Sequence, residues 1–292
     1  FCAPLFDIGT TSAYIKISDG CDRFCSFCAI PYIRGRYHSF TFDAIRADVA
    51  DAVAAGVREL VLIAQDTGRW GSDLPGKPTL AWLVRTLAEA WPDIWIRVMY
   101  LEPEGVTDEL LDLMATHPNV CSYLDIPLQH TSERVLHAMN RRGSAEEFLR
   151  LISHIRDMVP DVTLRTTLIA GFPGETDEDI DELCDFLEDA RFDYVGVFPY
   201  SAEEGTRAFS LPDQLDEEEK FARAQRIRDL SDAISSGLVA KRIGREMPVL
   251  IEGVEEEKAY IFLRDECDAD YIQGFFFGYP EMEDVFARRF RK

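Results

Sequence analysis

The sequence lacks any run near the ~18 uninterrupted apolar residues that a membrane span needs, and its opening, FCAPLFDIGTTSAY, has neither a positive n-region nor a long apolar stretch. No membrane partner is expected, and the chain reads as cytosolic. Basic residues are also scarce: 31 Lys and Arg stand against 53 Asp and Glu, a net charge of -22. Such a surface repels the phosphate backbone that dominates nucleic-acid affinity, so direct nucleic-acid binding is not expected of it and a basic protein is the easier partner. The same acidity also serves solubility alone. An evenly spaced disulfide framework is missing too. Seven cysteines occur in 292 residues, and three of them crowd into eight positions, which fits a reducing compartment and an inorganic ligand. Neither an internal repeat nor a low-complexity tract is found.

What the chain does have is a 47% hydrophobic content, enough for a sizeable core. Six apolar, β-rich runs, at 13–17, 60–64, 95–100, 122–126, 162–170 and 194–200, read as buried strands. Helical spacing separates them, as in Phe42, Ile45, Val49 and Val53, in Leu80, Leu83, Val84 and Leu87, and in Ile180, Leu183, Cys184 and Leu187. Thr107, Ser144 and Thr176 each precede acids as helix caps. Alternation of this kind predicts right-handed βαβ units, an α/β fold with a parallel sheet, and functional loops at the carboxyl ends of the strands. A partial six-unit barrel is the expected architecture. Residues 215–244 read as a long charged connector helix, and MPVLIEGVEEEKAYIFL after it reads as the start of a small β module.

The segment GCDRFCSFC places thiols at Cys21, Cys25 and Cys28, directly after the first strand. Three thiolates suit three irons of a [4Fe-4S] cubane and leave the fourth iron open to chemistry. Zinc would need a fourth ligand, for which Cys2 and His38 are oddly spaced, and a C-x-x-C redox pair at 25 and 28 would leave Cys21 unexplained. With its aromatic Phe27 before the last cysteine, this C-x3-C-x2-C loop resembles that of the radical SAM superfamily. The resemblance implies that S-adenosylmethionine (SAM) chelates the open iron and is cleaved to a 5'-deoxyadenosyl radical.

Beyond the loop, AIPYIRGRYHS, LIAQDTGRWG, LDIPLQH and LIAGFPGETDED resemble the methylthiotransferases of that superfamily, over residues 14–242. One branch modifies a tRNA adenosine; the other modifies the β-carbon of an aspartate in the twelfth protein of the small ribosomal subunit. The QDT and DIPLQH wording and the acidic charge resemble the second. A basic ribosomal protein and an electron donor are then the implied partners, with tRNA modification and a non-catalytic iron-sulfur remnant as the rival readings. The resemblance further implies an amino-terminal domain with three cysteines for a second cluster, and a carboxyl-terminal β-barrel called TRAM. On that pattern residues 1–12 are expected as a linker remnant, 13–240 as the barrel with its connector helix, and 241–292 as an incomplete TRAM-like β module.

Gln65 and Asp66 end the second strand, where radical SAM proteins contact the methionine amino group; a polar strand-end cap is the alternative. Asp125, Gln129 and His130 cluster at the fourth strand, Gln129 being expected near the cofactor and His130 left open. Arg165, within an apolar strand, needs an anion: the cofactor carboxylate or a structural acid. The GFPGE turn at 171–175 would let backbone approach a ligand. Cys184 is expected to pack, Cys121 and Cys267 carry no signal, and Cys2 is ambiguous. No residue is assigned as catalytic.

Overall fold

A computed structural model describes residues 11–251. Cys2, Cys267, most of the expected linker and most of the expected β module lie outside the described residues. Eight strands are present among those described: β1 (Ser12–Lys16), β2 (Ser18–Asp19), β3 (His38–Ser39), β4 (Glu59–Ile63), β5 (Trp95–Val98), β6 (Tyr123–Asp125), β7 (Thr163–Ala170) and β8 (Tyr194–Pro199). The helices are α1 (Ile30–Arg34), α2 (Phe42–Ala54), α3 (Leu80–Ala90), α4 (Asp108–Thr116), α5 (Glu133–Ala138), α6 (Ala145–Met158), α7 (Asp177–Ala190) and α8 (Glu217–Ala240). All six expected strands occur within a residue or two, and α8 takes the place of the connector.

Parallel ladders order the strands β1-β4-β5 and β6-β7-β8. The two sheets are joined by a parallel bridge between Ile96 and Val120 and by the Leu101 amide donating to the Asp125 carbonyl at 2.9 Å. No ladder joins β8 to β1 among the described residues, so the sheet is a barrel left open along one seam. The short antiparallel pair β2 and β3, with Ser18 opposite Ser39, ties the segment after β1 back on itself. Two-residue strands carry no periodicity, which is why the sequence pattern passes over them.

Local chemistry sets the helix starts. Thr107, Ser144 and Thr176 accept from the amides of Leu110, Glu147 and Asp179, and Thr176 with Asp179 forms a reciprocal capping box. Cys184 is buried in the core cluster, as its helical position implies.

One expectation is corrected. Parallel strands are normally covered on both faces, but β7 alternates half-buried and buried residues along its whole length, and β5 does the same. Leu164, Leu168 and Ala170 join the core, whereas Arg165 and Thr167 face the other way. The opposite face of the sheet is the barrel lumen, and apolar layers do not fill it. Arg97, Tyr123, Arg165 and the exposed Tyr14 and Phe198 line it instead. Among the described residues no helix is long and apolar enough to cross a membrane.

Candidate functional site

The cysteine loop occupies the carboxyl end of β1, between β2 and α1. Its three thiols are free and half-buried. The end of α5 clamps the loop from below. Ser26 donates its amide to the Met139 carbonyl at 2.9 Å and its hydroxyl to the Ala138 carbonyl at 2.8 Å, while Asn140 Nδ2 donates to the carbonyls of Arg23 and Phe24, both at 3.0 Å. Phe24, at φ 50, takes the left-handed turn that brings Cys25 round.

Positive charge accompanies the sulfurs. The Arg141 guanidinium donates to Cys25 Sγ at 3.9 Å, and the Arg23 amide donates to Cys21 Sγ at 3.5 Å. Arg141 is itself held by both oxygens of Glu102 and by the Pro127 carbonyl. Arg23 pairs with Asp66 at 2.8 Å and approaches Glu104. Four strand ends therefore meet here: the loop after β1, Asp66 after β4, Glu102 after β5 and Pro127 after β6. A cavity of about 240 Å³ opens among Arg23, Cys25, Glu102, Asn140, Arg141 and Arg142. A larger cavity, about 610 Å³, lies between the starts of α7 and α8 and contains none of these thiols.

Burial pushes the Cys21 thiol up from its ordinary value, with Asp66 and the other two cysteines adding to the effect; it does the same at Cys25, opposed by Arg141. No three His, Cys, Asp or Glu side chains among the described residues converge on a single ion. A cubane asks for no such convergence, because each thiolate binds its own iron. Three free thiols on one loop, N–H donors on two of them and buried oxygens left unpartnered next door, Gln65 Oε1 and Asp66 Oδ1, fit a cluster and a polar cofactor at this mouth.

The sequence-expected residues divide into two groups. Gln65 and Asp66 lie at the mouth beside the cysteine loop, Asp66 through its Arg23 pair. Gln129 sits on the rung of Leu168 with φ 72, its amide donating to Thr167 and its carbonyl accepting from Ile169. Arg165 stands apart from this network. Its anion is Asp125, directly across the ladder, at 2.9 Å.

His130 is fully buried and braces the architecture. Its Nδ1 accepts the amides of Thr131 and Ser132, and Nε2 lies 3.4 Å from Glu175 Oε2, too poorly aligned for a hydrogen bond. Glu175 in turn accepts from Gly171 and Arg223. The GFPGE turn is thus closed by protein. At Gly171, φ 77, an added Cβ would stand 2.5 Å from Lys220 Cγ of α8, so a helix approaches this glycine closely.

Three residues at the mouth, Glu102, Asn140 and Arg141, carry no expectation from the sequence. Glu102 follows β5 as Asp66 follows β4, and the strand-end rule applied a third time would have found it. Asn140 and Arg141 have no local signal, since their side-chain partners lie 14 to 117 residues away.

Comparison with known proteins agrees with this geometry. The model of the radical SAM superfamily matches residues 15–187. A ribosomal protein uS12 methylthiotransferase RimO from Pelotomaculum thermopropionicum is 46% identical over 90% of this chain and 60% of its own length. Its counterpart from Symbiobacterium thermophilum is 48% identical over 83% of this chain and 50% of its own length. The chain thus spans about half to three fifths of these relatives. Among solved structures, coproporphyrinogen III oxidase from Escherichia coli, a radical SAM enzyme, superposes with a TM-score of 0.56 at 16% identity, covering 86% of this chain and 57% of that one. Methylornithine synthase gives 0.52 at 15% identity, covering 75% and 62%. With a partial parallel barrel, three free cysteines on the loop after its first strand and a family match over more than half its length, the chain belongs to the radical SAM superfamily.

Proposed function

We propose that this chain is the radical-generating part of a methylthiotransferase that modifies the β-carbon of an aspartate in ribosomal protein uS12. The observation that carries the reading is the likeness to curated enzymes of that name, 46% identity across 90% of the chain.

Cys21, Cys25 and Cys28 are the residues to hold a [4Fe-4S] cluster, with Gln65, Asp66 and Gln129 as the residues to contact SAM. The cluster and SAM together supply reductive cleavage of the sulfonium to a 5'-deoxyadenosyl radical. The chain's own residues do the rest. Gln65 Oε1 and Asp66 Oδ1, buried and unpartnered, are acceptors for a cofactor ammonium group. Arg141 keeps a cation against Cys25, where a thiolate ligand needs one. A carboxylate entering beside Cys25 would compete with Glu102 for that guanidinium. The lumen walls shield the reacting centre from water. Sulfur insertion further calls on a second cluster, whose three cysteines the family resemblance assigns to an amino-terminal domain. An electron donor and the basic uS12 protein are the partners.

Anaerobic reduction of the reconstituted protein with SAM should release 5'-deoxyadenosine, and Cys25→Ala should abolish that release. Modification of tRNA with uS12 left untouched would overturn the substrate assignment.

A further inference from the structure

Gly196 lies in the interior of β8, in register with Thr167 of β7, and its backbone does not adopt the positive φ that calls for glycine. A glycine there weakens the strand and gives the fold nothing in return. Nor do neighbours exclude a side chain. A Cβ at 196 would lie 3.5 Å from Arg165 Nη2, 3.6 Å from Thr167 Oγ1 and 3.6 Å from Phe198 Cε2, all ordinary contact distances. What the missing side chain leaves is a shallow, methyl-sized niche in the lumen wall, over which a ligand can lie close to the backbone. A guanidinium nitrogen and a hydroxyl border it, and an aromatic edge closes its third side.

Arg165 is half-exposed to the lumen and commits Nη1 to Asp125 Oδ1, which holds its head on its own rung and turns Nη2 toward the niche. Resting on the function proposed above, we infer that this niche receives the side-chain carboxylate of the substrate aspartate, with Arg165 and Thr167 as its donors and Gly196 as its floor. Two oxygens of a carboxylate match one guanidinium N–H and one hydroxyl. The carbon to be modified is one bond from that carboxylate, so fixing the carboxylate also fixes which C–H is presented. The methionine carboxylate of SAM would be held at the mouth beside the cysteine loop, and the niche is left for a second carboxylate further down the lumen.

Calorimetric titration of the full chain with uS12, and with uS12 whose target aspartate is replaced by asparagine, tests the assignment. The aspartate form should bind tighter by roughly ten- to hundredfold. Arg165→Gln should bring the ratio to about one. Gly196→Ala, which the fold accommodates and which keeps the guanidinium, should lower it severalfold, so the test survives if loss of the Arg165–Asp125 pair harms folding. Equal affinity of the unaltered chain for both forms, including none measurable for either, overturns the niche. So does a ratio that persists in both variants, or an Arg165→Gln protein that loses SAM affinity with the ratio intact, which would give the niche to the methionine carboxylate. If this chain joined to the amino-terminal cluster domain methylthiolates uS12 but the affinities are equal, only the niche fails; if tRNA is modified instead, the function itself fails.

Discussion

His130 shows how a motif residue at the edge of a candidate site can be committed, through one ring nitrogen, to holding the fold. Both amides that follow it end on its Nδ1. Replacement by alanine would orphan two buried N–H groups and leave the fully buried Glu175 without its neighbour, at a cost of about 1–3 kcal/mol for each orphaned group. Denaturant unfolding of His130→Ala should therefore show a large loss, with His130→Asn, whose side-chain oxygen can accept, recovering part of it. Cys121 makes a second case. Burial, opposed by Arg97 and reinforced by Glu59, pushes its thiol up to about 12. Alkylation of the native protein at pH 8, followed by mass mapping, should leave Cys121 unlabelled until the protein is denatured. Neither role could be read from local sequence. A buried His and a single Cys acquire their meaning from elements dozens of residues away.

At the scale of elements, much more was legible. The six barrel strands follow from apolar β-rich runs, and the caps from a hydroxyl ahead of acids, because both signals are local. Thr176→Ala, which removes one half of a capping box, should cost ~1 kcal/mol and shift the denaturation midpoint accordingly. Gly171→Ala should cost about 1–3 kcal/mol, since it forces a side chain into the left-handed region and into Lys220; the same unfolding measurement checks it. A turn motif states the backbone's need and not its neighbour, and here the neighbour of Gly171 is Lys220 of α8. Likewise Arg165 announced that it required an anion, and only the ladder register named Asp125.

For the whole molecule, a net charge of -22 is a statement about encounter. Association with a basic protein should be steered at low ionic strength and screened as the Debye length falls below about 10 Å. Stopped-flow mixing with uS12 should show an association rate that drops steeply between low and high salt; a flat profile would count against electrostatic steering.

The seam between β8 and β1 bears on all of this. A sheet closed into a ring has its radius dictated by strand number, tilt and stagger. A ring with a cut leaves its radius less constrained, so its two halves can flex about the links at Ile96–Val120 and Leu101–Asp125 without breaking a ladder. A rigid cylinder would suit a small molecule of fixed shape. On the function proposed above, an adjustable cleft suits the projecting loop of a protein substrate, let in sideways and then gripped.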